Sequence, residues 1–107
     1  MSARMAGLVA DLLLRTCNAT SVERQSFING ARYMVRFGEN SNMEIHLIDK
    51  DGVLFAEFWV STYATPLIIV EYLYSNTEPA SVCREICALV EIINNSLKRR
   101  PNPQGNK

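Results

Sequence analysis

From Met43 to Val60 hydrophobic and polar positions alternate on either side of one Asp-Gly pair, and a period of two predicts paired strands. Asp51 and Gly52 suit a two-residue hairpin turn, because its type I′ geometry needs positive φ at both positions. In that register Lys50 faces Val53, Ile48 faces Phe55, His46 faces Glu57, Ile45 faces Phe58 and Met43 faces Val60. One face then carries Met43, Ile45, Leu47, Leu54, Ala56, Phe58 and Val60, all apolar. The other carries Glu44, His46, Ile48, Phe55, Glu57 and Trp59. A slip of one residue would carry polar groups onto the apolar face, so the pattern selects this register.

Asn29-Gly30 is a second turn signal of the same kind. It groups Ala31, Tyr33, Val35 and Phe37 on one face and Arg32, Met34 and Arg36 on the other, with Glu23 opposite Arg36. Between Pro66 and Tyr74, Thr65-Pro66 can start a short helix, but Ile68, Ile69, Val70, Tyr72 and Tyr74 favour a strand. With Ile68, Val70, Tyr72 and Tyr74 inward, Glu71 joins Glu57 on the mixed face. Both acids interrupt the most apolar run of the chain, Val53 to Tyr74. Burying either one unpaired costs several kcal/mol, so they mark a face that meets water or a base.

Helical spacing flanks the strands. From Ser2 to Cys17, Met5, Leu8, Val9, Leu12 and Leu13 form an apolar stripe opposite Arg4, Gly7, Asp11 and Arg15, and Asp11 can pair with Arg15 one turn on. From Glu78 to Leu97 the stripe is Val82, Ile86, Leu89, Ile93 and Leu97, widened by Cys83, Cys87 and Val90. Thr77 or Asn76 can cap this helix, Pro79 fits its first turn, and Pro101 and Pro103 end it. The expected fold is therefore α+β: a two-layer sandwich in which a four- or five-stranded antiparallel meander is covered on one face by the N- and C-terminal helices.

A chain of 107 residues with no repeat or linker forms a single domain, residues 1–97, followed by a basic tail, residues 98–107, expected to be loose. The tail holds Lys98, Arg99, Arg100 and Lys107, which leaves seven bases against eleven acids in the body, a charge of minus four. A body of that sign is a poor phosphate binder, and nucleic acid is an unlikely partner. Asp11 and Arg15 interrupt the N-terminal apolar run too early for an export peptide, and Glu57 and Glu71 break the best membrane-span candidate. Three cysteines, an odd number, suit a reducing cytosol better than a disulfide framework, so a cytoplasmic location is expected.

Chemical motifs are sparse. His46 opposite Glu57 could orient an imidazole as a base, but no nucleophile or oxyanion loop accompanies it, and a cross-strand polar pair explains it as well. Glu57 with Glu71 makes a weaker acid–base pair. Cys83 and Cys87 lie one helical turn apart, yet a structural zinc needs about four ligands and no second cluster is apparent, so they read as small buried thiols. Asp49-Lys50-Asp51-Gly52 lacks the remaining ligands of a calcium loop. No catalytic residue, metal or cofactor is therefore expected. What remains is the mixed face of Arg32, Arg36, Glu44, His46, Phe55, Glu57, Trp59 and Glu71. Arg and Trp are enriched at binding hot spots, which points to a non-enzymatic protein-binding module, an inhibitor, adaptor or immunity-type protein that docks through this face. A homodimer would use the same face. The alternatives are base stacking on the open sheet, helped by the basic tail, and a small-ligand or catalytic role around His46 and Glu57.

Overall fold

Five antiparallel strands follow one another across a single sheet in chain order, so each is joined to its neighbour by a turn or short loop and none crosses over. In the computed structural model, which describes residues 5–28, 30–38, 42–61 and 63–99 (backbone only at 98 and 99), the elements run α1 (Met5–Thr16), β1 (Ala19–Phe27), β2 (Gly30–Phe37), β3 (Met43–Lys50), β4 (Val53–Val60), β5 (Ile68–Leu73), a 3-10 turn (Tyr74–Asn76) and α2 (Pro79–Arg99). This is the expected α+β sandwich, with five strands and both helices on one face. The expected tail, with Pro101 and Pro103, lies outside the described residues.

The β3–β4 hairpin has every predicted partner, from Lys50↔Val53 to Met43↔Val60. Its turn residues adopt the conformation that their types permit, Asp51 at φ 52° and Gly52 at φ 77°. All seven apolar-face residues are buried, and they form the sheet's half of the core with Val35 and Phe37. The segment after Pro66 is a strand, with Val70 and Tyr72 turned toward the core and Glu71 opposite Phe55 on the outer face.

The first hairpin departs from expectation. Phe27 pairs with Gly30, so Gly30 belongs to β2 and not to the turn, and Glu23 faces Met34 instead of Arg36; Asn29 lies outside the described residues. The Asn-Gly register would have set Arg24 opposite fully buried Val35. In the observed one Val22 meets Val35, and Arg24 lies beside Tyr33, where its Nε donates to the Tyr33 hydroxyl at 3.2 Å. The two registers differ by two residues, so the faces survive the change.

On α1 the buried arc is Met5, Ala6, Val9, Ala10 and Leu13, while Leu8 is 51% exposed. The two alanines let the helix lie close to the sheet, rolling Leu8 outward and bringing Gly7 over the Tyr33 ring. A Cβ on Gly7 would come within 3.1 Å of the Tyr33 hydroxyl oxygen, so this glycine belongs to the packed side and not to the solvent stripe. Near the start of α1 the Asp49 carboxylate accepts the Ala6 N–H, 3.1 Å from each oxygen, a favourable place for negative charge. Asp11 and Arg15 pair at 2.9 Å. On α2, Val82, Cys83, Ile86, Val90 and Ile93 of the predicted stripe are buried, while Cys87, Leu89 and Leu97 are half-buried against the core. Its first turn opens at Glu78, whose carbonyl accepts the Val82 N–H at 3.1 Å, one residue later than the expected cap.

Candidate docking face

All eight residues singled out from the sequence lie on the face turned away from the helices. Cross-strand partners line up in rows, because residues opposite one another share a face. One row is Gln25, Arg32, Ile48, Phe55 and Glu71; the next is Glu23, Met34, His46, Glu57 and Ile69; a third brings Arg36, Glu44 and Trp59 together. Arg32, Glu44, His46, Phe55, Glu57 and Trp59 are half-buried, while Arg36 and Glu71 are exposed.

A hydrogen-bonded network occupies the centre. Arg32 Nη1 donates to Glu57 Oε1 at 3.1 Å and lies 3.0 Å from His46 Nδ1. Because an arginine can only donate, His46 Nδ1 accepts and its proton sits on Nε2, which donates to Glu44 Oε1 at 2.9 Å. Glu44 Oε2 accepts from Arg36 Nε at 2.8 Å, and Trp59 Nε1 donates to Glu57 Oε1 at 3.0 Å. The His46 and Trp59 rings stack with centroids 5.3 Å apart. His46 and Glu57 stand opposite each other as expected, with Nδ1 3.9 Å from Oε1, and Arg32 Nη1 is hydrogen-bonded to both. Burial pushes the Glu44 carboxyl upward, but hydrogen bonds from His46 and Arg36, with the Arg36 charge, outweigh it and leave the group below its ordinary value.

The face extends beyond the residues picked out from the sequence. Phe27 lies under the Arg32 guanidinium, 6.0 Å from ring centroid to Cζ, and Ile69 and Leu73 on the edge strand are 52% and 57% exposed. The period of two in β5 places both there, although neither is charged or aromatic. At the Trp59 end a cleft of about 490 Å³ is lined by Arg36, Glu44, His46, Trp59 and Tyr63 among others.

The cysteines form a separate cluster on the helical side. Cys17 and Cys87 are joined by a disulfide with Cα atoms 5.9 Å apart, and buried Cys83 is the remaining free thiol. This corrects the expectation of unpaired thiols: the end of α1 lies against α2, and that packing brings together two cysteines 70 residues apart in the chain. Among the described residues no helix is long and apolar enough to cross a membrane. Comparison with protein-family models, characterised proteins and solved structures returns no match for this chain.

Proposed function

We propose that the protein is a small non-enzymatic binding module, an inhibitor, adaptor or immunity-type protein that docks another protein against the outer face of its sheet. The observation that carries this reading is the face itself. One side of the sheet is sealed by two helices, while the other presents Trp59, Phe55, Phe27, Ile69 and Leu73 around a network of paired charges. Apolar and aromatic anchors set among satisfied polar groups resemble the centre and rim of a protein interface.

Two features weigh against the alternatives. Arg32 and Arg36 are committed to Glu57 and Glu44, and the face carries Glu23, Glu44, Glu57 and Glu71 against Arg32, Arg36 and Lys50, an unfavourable balance for a phosphate backbone. Both nitrogens of His46 are engaged in hydrogen bonds, which leaves neither free to act as a base. The test is a quantitative pull-down from the native host with mass spectrometry, comparing wild type with Trp59→Ala and with an outer-helix control, Leu14→Glu. One protein should be enriched by wild type and the control and lost with Trp59→Ala. Equal enrichment by all three removes the face from the interface, and recovery of the chain itself identifies a homodimer.

A further inference from the structure

We propose that Cys17, Cys83 and Cys87 form a three-thiolate site for a soft metal ion such as Zn2+, open on one side to the cleft between the end of α1 and α2. The sequence offers two thiols one turn apart on α2, too few to hold an ion. The fold supplies the third, and the three sulfurs lie within 4.8 Å of one another. Zinc–sulfur bonds of about 2.3 Å set tetrahedral sulfurs about 3.8 Å apart, so the widest spacing closes by about 1 Å while the bridged pair, once reduced, parts by about 2 Å. Cys83 and Cys87, four residues apart, project from one side of α2. The 5.9 Å between the Cα atoms of Cys17 and Cys87 suits a disulfide, and it also lets both sulfurs turn onto one ion between them.

The surroundings favour a cation. The Cys17 N–H donates to the Leu13 carbonyl at 3.0 Å and closes the last turn of α1, where the carbonyl end of the helix carries partial negative charge. The Thr16 hydroxyl donates to the Leu12 carbonyl at 2.8 Å and lies 3.5 Å from Cys83 Sγ, so it accepts from the Cys83 thiol and must turn its own proton to the sulfur once metal binding ionises it. Cys83 forms the buried wall, while Cys17 and Cys87 line a cleft of about 790 Å³ with Asn42, Glu91 and Asn94. A water or small ligand can complete the coordination from that side, as in metal sites that keep one position open. A set of three thiolates selects thiophilic ions such as Zn2+ or Cu+ over Mg2+ and Ca2+.

The disulfide and the metal compete for the same sulfurs. A phosphine reductant opens the bridge to two thiols, taking the oxygen of one water as phosphine oxide and leaving its two protons on sulfur. Metal binding then releases thiol protons. In the test, the full-length protein is reduced in this way, desalted without oxygen, and titrated with Co2+ and then Zn2+. One equivalent of Co2+ should give thiolate-to-cobalt charge-transfer absorption, which Zn2+ bleaches. Zn2+ should also slow alkylation of all three thiols in the wild-type protein, a readout independent of whether any variant folds. Cys83→Ala, which leaves the bridging pair intact, should weaken binding at least about tenfold, as much as loss of an outer-shell group costs or more. No charge-transfer band together with unprotected thiols overturns the proposal and leaves a disulfide alone. A folded Cys17→Ser protein that binds as tightly as wild type also overturns it, because the ion would then rest on α2 only.

Discussion

Arg32 is the residue on which the outer face turns. Its guanidinium serves both His46 and Glu57, whose side chains are only 13% and 17% exposed, so its removal leaves two half-buried acceptors short of a partner. Arg32→Ala should therefore cost about 1–3 kcal/mol in denaturant unfolding. Arg15→Ala, which breaks an ion pair between side chains 70% and 54% exposed, should cost under about 0.5 kcal/mol. Equal losses would mean that the network contributes no more than a solvated pair. The ionisable groups also fix how stability responds to pH. Glu44 is held below its ordinary value in the folded state, so its contribution is present above the unfolded value and is lost as pH falls through the folded one. Tyr72 and Tyr74 move the other way. Burial raises both, and the carboxylates of Glu85 and Asp49 raise them further. Their contribution is full below the ordinary tyrosine value of about 10 and declines as pH rises past it, because only the unfolded chain gives up the proton there. Urea midpoints should fall on that alkaline side, and Tyr74→Phe should flatten the fall.

At the scale of elements, adjacent residues of β4 have opposite fates. Phe58 is fully buried against the helices, and Phe58→Ala should cost about 3–5 kcal/mol, enough to unfold many small domains. Trp59 is half-buried on the outer face, and Trp59→Ala should leave a folded protein in thermal melts. If Trp59→Ala unfolds the chain while Phe58→Ala does not, the two faces have been exchanged. This hairpin was legible from sequence because its alternation is unbroken and its turn residues tolerate positive φ. The β1–β2 hairpin was half legible. Its faces followed from β2, but the Asn-Gly signal outweighed the less visible cost of setting Arg24 opposite buried Val35. Helix α1, Met5–Thr16, lies within the span predicted from Ser2 to Cys17, of which Ser2 to Arg4 fall outside the described residues, but it is rolled differently, since a count of large apolar residues cannot register that Ala6 and Ala10 permit close approach. The support of its first turn by Asp49 was out of reach of any local pattern, because the carboxylate comes from a strand 43 residues away.

Over the whole molecule, two helices and one sheet leave a single layer boundary sealed and the other side of the sheet open, and the open side holds every residue that the sequence suggested for binding. Its membership followed from a period of two. Its internal wiring did not, because Arg32 reaches from β2 to His46 on β3 and to Glu57 on β4 and links them. The gathering of Cys17 with Cys83 and Cys87 was likewise invisible along the chain, since it depends on how α1 meets α2. The central claim is that the outer face, and not the helical layer, meets a partner. Photo-cross-linking in the native host tests it most directly, with a photoreactive residue placed at Phe55 on the outer face or at Ile92 on the exposed side of α2. The account predicts a discrete cross-linked species from position 55 and none from position 92. Cross-linking from position 92 with none from position 55 would contradict it.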